Sequence, residues 1–163
     1  MCPFGRTWIL WPTRRDTWNA SARPAQAAFA AVANTIARYE PVTIGIPPGA
    51  EDSVRALILD TASITVVVIE QDDAWVRDTG PLFVVADDSG GCGDYPRQRH
   101  VRGVDWPFNA WGGERGGCLS SWVKDDAIAS AVLRLANAER YVSKMILEVR
   151  RRLLSSLRVY HSY

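Results

Sequence analysis

Cysteine is scarce in this chain of 163 residues. Cys2, Cys92 and Cys118 are odd in number, lie far apart and include no C-x-x-C pair. This pattern argues against a disulfide-stabilised secreted domain and favours a reducing compartment. The sequence also lacks a charged-then-apolar leader pattern and any apolar run long enough to cross a bilayer. We therefore expect a cytoplasmic chain that does not insert into a membrane.

Histidine and familiar catalytic motifs are equally scarce. The chain holds two histidines, His100 and His161, and no H-E-x-x-H, G-x-S-x-G or G-x-x-x-x-G-K-[ST] pattern. Cys92 lies in a Gly-rich turn and Cys118 follows two glycines, and neither has a base at a recognisable spacing. We therefore expect both cysteines to be free thiols and His100 to be solvated rather than a ligand.

The charges of the chain nearly cancel, with 19 basic and 18 acidic residues. Such a balance gives no reason to expect nucleic acid or an anionic membrane surface as a partner. The hydrophobic fraction of 47% and the charged fraction of 23% are typical of one globular domain with a sizeable core. Seven tryptophans are a high count for this length. Because indole rings often line clefts for flat or cationic ligands, they favour a small-molecule site.

Apolar patterning predicts strands and helices that alternate along the chain. The predicted strands are 8–11, 42–46, 64–69 and 82–85, and the predicted helices are 24–39, 51–59 and 125–138. The long helices are expected to face inward through Phe29, Val32, Ala33 and Ile36, and through Ile128, Ala131, Val132 and Leu135. Ser21 and Asp125 are expected to cap them, and 97–102 to be a basic surface stretch. This layout predicts an α/β fold.

One polar loop, Gln71–Pro81, lies between two predicted apolar strands and holds three aspartates, an arginine and a tryptophan. A carboxylate beside an indole face suits a planar cation, because its two oxygens match the N–H fork of a guanidinium. Asp78 and Trp75 are therefore candidates for a guanidinium or amine pocket. Trp111 would supply a second wall and Asp105 a second acidic contact.

Purely structural interpretations of these residues stay open as well. Arg77 is close to acids in sequence, so Asp73 or Asp78 would satisfy it as a structural ion pair. Asp105 is as well suited to capping backbone N–H groups as to binding a ligand. The aromatic side chains of 106–111 are equally suited to core packing.

A magnesium site is the third interpretation of the loop. Asp72, Asp73 and Asp78 have a D-D-x-x-x-x-D spacing, and Mg²⁺ prefers clustered carboxylates. The aspartate-rich motif of prenyl-diphosphate enzymes lies on a long helix. Gly80, Pro81 and the flanking β-branched strands oppose such a helix here.

Five blocks of the sequence together resemble the agmatine deiminase family, which belongs to the peptidylarginine-deiminase-like superfamily of guanidino-group-modifying enzymes. The blocks follow the family's order and spacing over about residues 7–148. They are 7–12 (TWILWP), 16–19 (DTWN), 24–31 (PAQAAFAA), 72–81 (DDAWVRDTGP) and 103–113 (GVDWPFNAWGG). Agreement of five blocks in register is far more specific than the loop alone.

The resemblance implies a five-bladed α/β propeller with the active site in its central channel, of which this chain would hold roughly the first two blades. It implies hydrolysis of agmatine to N-carbamoylputrescine and ammonia, on the way to putrescine, by a cysteine thiolate and a histidine. It implies no metal and no organic cofactor, and a homo-oligomer for the full-length family. By its match to the family's loop, Asp78 is the catalytic aspartate that grips the guanidinium, and Trp75 and Trp111 join it in binding substrate.

The resemblance stops at Glu148, where the basic run 149–152 replaces the two glycines with which the family continues. We therefore divide the chain into a deiminase-like portion, 1–148, and a divergent tail, 149–163. The tail is either irregular or part of a helix that starts at Val142 and turns Met145 and Ile146 inward.

The family's His-x-Asp pair and its nucleophilic cysteine come after this point, and Cys92 and Cys118 match neither. We therefore expect a truncated agmatine deiminase that is inactive alone. Cut sheet edges would also make it poorly soluble. The alternative is a non-catalytic fragment that binds guanidinium groups or associates with another subunit.

Overall fold

The computed structural model describes residues 5–18, 20–59, 62–87 and 99–147. It shows an α/β protein with two separate three-stranded sheets, which confirms the predicted α/β class. Neither Cys2, Cys92, His161 nor the tail at 149–163 lies within the described residues. Within the described ranges, no helix has the length and apolar character needed to cross a bilayer.

The first sheet is parallel and has the order β1-β2-β3. Helices run between its strands, as parallel connections require. All five residues of the central strand β2 are buried, because it has a neighbour on each side and helical cover. The elements are β1 (Thr7–Leu10), α1 (Arg23–Ile36), β2 (Val42–Ile46), α2 (Glu51–Arg55) and β3 (Ile64–Val68).

The second sheet has the order β4-β5-β6, with β4 antiparallel and β6 parallel to the central β5. A short helix, α3, lies between the two sheets along the chain, and three more helices connect β5 to β6. The elements are α3 (Val76–Thr79), β4 (Leu82–Asp87), β5 (Arg99–Asp105), α4 (Gly113–Gly116), α5 (Val123–Asp126), α6 (Ile128–Leu135) and β6 (Glu139–Val142).

The helix α6 packs directly on the backbone of β5. A Cβ atom added at Gly103 would lie 2.1 Å from Cδ2 of Leu133, so glycine lets the helix approach the strand. The buried residues of α6 are Ile128, Ala129, Val132 and Leu133. The predicted inward face was therefore wrong at Leu135, which is exposed, and right at Ile128 and Val132.

The helix α1 turns the predicted face inward except at Val32, because Ala33 is buried and Phe29 and Ile36 pack against the core of the first sheet. Val32 is 52% exposed, whereas Gln26, Ala30 and Ala33 are buried. The Gln26 amide donates a hydrogen bond to the Pro12 carbonyl over 2.9 Å, which ties the buried side of the helix to the chain after β1. Ala22, in a left-handed conformation, holds the N-cap position, so the predicted cap at Ser21 was wrong.

Two strands were missed because their residues read as polar. The stretch predicted as a basic surface segment enters β5, where Arg102 forms an ion pair of 2.9 Å with Glu139 on β6. The charged side chains occupy the exposed face of the sheet and hide the strand pattern. Val142 ends β6 rather than starting a helix, and no helix is assigned between Val142 and residue 147.

The strand β3 is less buried than its β-branched sequence predicts. Val66 is 42% exposed and Val68 is 57% exposed, because β3 is the last strand of its sheet. Leu82 and Val85 on β4, which is also an edge strand, are exposed as well. Exposed apolar edges favour association between molecules. The expected poor solubility stays a prediction.

Candidate functional site

The helix α3 carries Asp78 to the mouth of a shallow cleft. Its single turn is held by Asp78 N–H and Thr79 N–H, which donate to the Trp75 carbonyl over 2.9 and 3.0 Å. A Cβ atom at Gly80 would lie 2.5 Å from the Val76 carbonyl oxygen, so this residue must be small for the turn to end where it does. The cleft is lined by Asp78, Pro107, Phe108, Asn109, Trp111, Ile146 and Leu147.

Trp111 is the wall of the cleft that contacts Asp78. Its indole Nε1 lies 3.4 Å from Oδ1 of Asp78, a long and therefore weak hydrogen bond. The side chain of Asp78 is half-buried and accepts no other hydrogen bond from the described residues. Most of its acceptor capacity is therefore not used by the described residues. Trp111 has a positive φ of 60°, which is uncommon outside glycine and is often found at functional sites.

An aromatic cluster continues from Trp111 into the interior. Phe108 meets it edge-on at a centroid distance of 5.0 Å, and Trp75 meets it edge-on at 5.9 Å. Trp75 in turn stacks on Trp18 at 5.6 Å with an angle of 24° between the rings. These are favoured aromatic geometries, and they join residues that lie far apart in sequence.

Asp73 lies at the N–H edges of the stacked Trp18 and Trp75 rings. It is fully buried, and its Oδ1 accepts the Trp18 indole N–H over 2.6 Å and the Ala74 N–H over 2.8 Å. Its Oδ2 accepts the Trp75 indole N–H over 2.8 Å. Both oxygens of Asp73 are therefore engaged by donors of the protein itself.

Asp125 holds the loop from the other side. Its Oδ1 accepts the N–H groups of Asp72 and Asp73 over 2.7 and 3.0 Å, while Oδ2 of Asp72 accepts the Lys124 N–H over 3.0 Å. Among the described residues, Oδ2 of Asp125 is buried without a partner. Burial raises the pKa of Asp125 to about 6, and the charges of Asp72 and Asp73 act in the same direction. Asp125 therefore clamps the loop, and its predicted role as the cap of its own helix was wrong.

The alternatives raised for the loop can now be separated. Arg77 is exposed, and in the described part of the chain it makes no ion pair with Asp73 or Asp78. Asp105 is buried and pairs with Arg140 over 2.6 Å, so it is neither a backbone cap nor a second acidic contact in the cleft. The predicted ion pair of Arg77 and both suggested roles of Asp105 were therefore wrong.

The magnesium interpretation also fails on geometry. The described residues contain no group of three or more acids, cysteines or histidines arranged to hold a metal ion. Asp72, Asp73 and Asp78 instead use their oxygens on the Lys124 backbone and on three indole N–H groups. The three carboxylates therefore have different partners and do not converge on one ion site.

Sequence reasoning brought together Asp78, Trp75 and Trp111 but missed Trp18, Asp73 and Asp125 as parts of the same assembly. Trp18 lies in a stretch with no periodic pattern, so nothing local signals its long-range partner. The described free cysteine, Cys118, is exposed and is not among the residues that line the cleft.

The fold and the cleft define an α/β protein with a tryptophan-walled carboxylate. The family model for the Porphyromonas-type peptidyl-arginine deiminase matches residues 2–149. The chain belongs to this family.

Known relatives are similar over the same region. The chain is 50% identical over 139 residues to an agmatine deiminase of Pseudomonas aeruginosa (strain LESB58) and to one of Stutzerimonas stutzeri (strain A1501). A solved agmatine deiminase of Enterococcus faecalis superposes with a TM-score of 0.75 at 33% identity, covering 85% of this chain and 35% of that one. The match covers 85% of this chain but 35% of each of the two relatives. The chain thus spans about a third of the length of the proteins it matches.

Proposed function

We propose that the cleft at Asp78 is the guanidinium-recognising part of an agmatine deiminase site. The observation that carries this proposal is the Asp78 carboxylate, which lies at the cleft mouth beside Trp111 with acceptor capacity to spare. Identity of 50% to proteins named agmatine deiminase supports agmatine as the substrate. Nothing in the described part of the chain favours a separate non-catalytic role.

The chemistry of the cleft suits a guanidinium group. A carboxylate receives two guanidinium N–H groups as short, charge-assisted hydrogen bonds, which orient the planar cation. An indole face next to it adds cation–π attraction of roughly 0.5–2 kcal/mol, depending on how far the cation is desolvated. The weak Trp111 contact to Asp78 is easily exchanged for these stronger bonds. Asp78 therefore acts as the substrate-gripping aspartate, with Trp111 as the wall of the cleft and Trp75 packed behind Trp111.

We assign the hydrolytic chemistry to segments of a complete agmatine deiminase that this sequence does not match. Attack on the guanidinium carbon needs an activated thiolate and a proton-transferring group. Cys118 is not among the residues that line the cleft, and the described residues place no histidine there. In a complete relative, we propose, the two sheets form roughly two blades of a five-bladed propeller. We further propose that such a complete protein is cytoplasmic and assembles as a homo-oligomer. The 163-residue chain alone should then recognise a guanidinium without hydrolysing it.

Replacing Asp78 with asparagine should weaken agmatine binding about tenfold or more, because a charge-assisted bidentate contact contributes roughly 1.5–3 kcal/mol. Binding is measured by calorimetry and by indole fluorescence, since Trp111 adjoins the site. Putrescine, which has an amine in place of the guanidinium, is the ligand control and should bind more weakly. Asp52→Asn, at a fully exposed carboxylate on α2, is the matched control and should bind as the wild type does. Equal affinity of Asp78→Asn and wild type would refute the assignment.

The purified chain should release no ammonia from agmatine above the uncatalysed background. The reason is that no cysteine of the described residues lines the cleft at Asp78, rather than a loss of fold. Ammonia is followed by a coupled assay, with a complete agmatine deiminase as the positive control. Turnover that disappears in a Cys118→Ser variant would show instead that this chain carries its own nucleophile.

A further inference from the structure

We propose that Asp73 is a positioning residue of the cleft, which fixes the Trp18 and Trp75 rings so that Trp75 braces Trp111 against Asp78. The inference deepens the proposed function and rests on it. Asp73 itself would never touch the substrate. Of the loop's three aspartates, one would thus bind the ligand and another would orient the walls.

The first observation behind this proposal is the hydrogen bonding of Asp73. Two stacked indoles, Trp18 and Trp75, direct their N–H groups at opposite oxygens of one buried carboxylate, over 2.6 and 2.8 Å. The Ala74 N–H donates a third bond. A buried carboxylate needs such donors, and a buried indole N–H needs an acceptor. Because each partner satisfies the other, the relative orientation of the two rings is set by one side chain.

The second observation is the set of contacts between the aromatic rings. Trp75 meets Trp111 edge-on at 85°, and within the described ranges only Trp111 reaches Asp78 with its indole N–H. A tilt of Trp75 would therefore move the wall that lies against the ligand-binding carboxylate. Asp73 is absent from the lining of the cleft, so any effect it has on binding must pass through the rings.

A carboxylate is required at this position rather than any polar group. Asparagine has one acceptor oxygen and an NH₂ group that donates, so it can accept from only one of the two indoles. The other indole N–H would face a donor and would turn away. The substitution Asp73→Asn is nearly isosteric, so its effect isolates the hydrogen-bond pattern from packing.

Asp73→Asn should weaken agmatine binding by the full chain about tenfold, and should change the near-ultraviolet circular dichroism of the stacked tryptophans while the far-ultraviolet spectrum stays the same. The matched control is Asp72→Asn. Its carboxylate lies next in sequence but bonds the Lys124 backbone, away from the rings. That variant should keep both the affinity and the near-ultraviolet spectrum of the wild type. An unchanged affinity in Asp73→Asn would overturn the proposal.

A double-mutant cycle with Trp75→Phe, which keeps a ring but removes the N–H donor, separates positioning from general stabilisation. If Asp73 acts through Trp75, then adding Asp73→Asn to Trp75→Phe should weaken agmatine binding less than twofold further. If the two substitutions instead weaken agmatine binding independently, so that their fold losses multiply in the double variant, the positioning role would be overturned. If Asp73→Asn fails to fold, Trp75→Phe decides alone, and a wild-type affinity for agmatine in that variant would refute the proposal.

The two proposals fail differently. A wild-type chain that binds agmatine no better than putrescine would contradict the proposed function. The near-ultraviolet spectra of Asp73→Asn and Asp72→Asn would still report on the ring clamp. An unchanged tryptophan spectrum in Asp73→Asn would then contradict the clamp independently of any ligand.

Discussion

In the wild type, the free energy of unfolding should fall by about 3 kcal/mol between about pH 4 and pH 6 because of Asp125, and the Asp125→Asn variant should not show this fall. Burial raises the pKa of Asp125 from its ordinary value of 3.8 to about 6 in the folded chain. The folded state therefore holds this proton more tightly than the unfolded state. The contribution is fully present below about pH 4 and is lost as the pH rises through 6. Asparagine carries no such proton, so its variant lacks the slope.

Urea unfolding of the full chain at pH 4, 5, 6 and 7 measures this effect as the difference between wild type and Asp125→Asn. The comparison matters because other carboxylates add slopes of their own, which cancel in the difference. Asp126→Asn is the matched control, since it removes a carboxylate from the same helix and leaves Asp125 in place. Parallel pH profiles for wild type and Asp125→Asn would contradict the prediction.

Replacing Trp11 with alanine should lower the free energy of unfolding by about 3–5 kcal/mol. The side chain is fully buried in the core between the first sheet and its helices, and its Nε1 donates to the Ser53 hydroxyl over 2.8 Å. Alanine would leave a large cavity and an unpaired Ser53. Because a domain's total stability is roughly 5–15 kcal/mol, the loss should be visible as a lower thermal midpoint.

Two variants separate the parts of the Trp11 effect. Ser53→Ala removes the hydrogen bond and keeps the ring, and should lower the free energy of unfolding by only about 1 kcal/mol. Tyr39→Ala, at an exposed aromatic residue just after α1, should change it by less than about 0.5 kcal/mol. A Trp11→Ala midpoint equal to that of Tyr39→Ala would mean that this core does not hold the sheet together.

Strands and core of the first sheet followed from the sequence because the pattern there is local. The runs at 42–46 and 64–69 are β-branched and apolar, and the structure has strands at 42–46 and 64–68. What failed was the exposure of Val66 and Val68, which depends on whether another strand lies beside β3. No pattern within a single strand reports the identity of its neighbours.

The candidate site was predictable in part for the same reason. Asp78 and Trp111 belong to two separate sequence blocks. Because both blocks suit a guanidinium pocket, the sequence predicts that the two residues lie close together, and in the structure they are in contact. The distinction between Asp73 and Asp78 was not predictable. It depends on Trp18, which lies 55 residues before Asp73 and reaches it only through the tertiary fold. Asp125 was assigned to its own helix because capping is the usual role of an aspartate at a helix start.

The succession of the sheets along the chain has a consequence for synthesis on the ribosome. All strands of the first sheet lie within residues 7–68, so this sheet can pair before the second has emerged. The assembly around Trp18 and Asp73 is completed only after Trp111 and Asp125 have been translated. A chain that ends before residue 111 would therefore contain all strands of the first sheet but lack Trp111, the wall of the cleft.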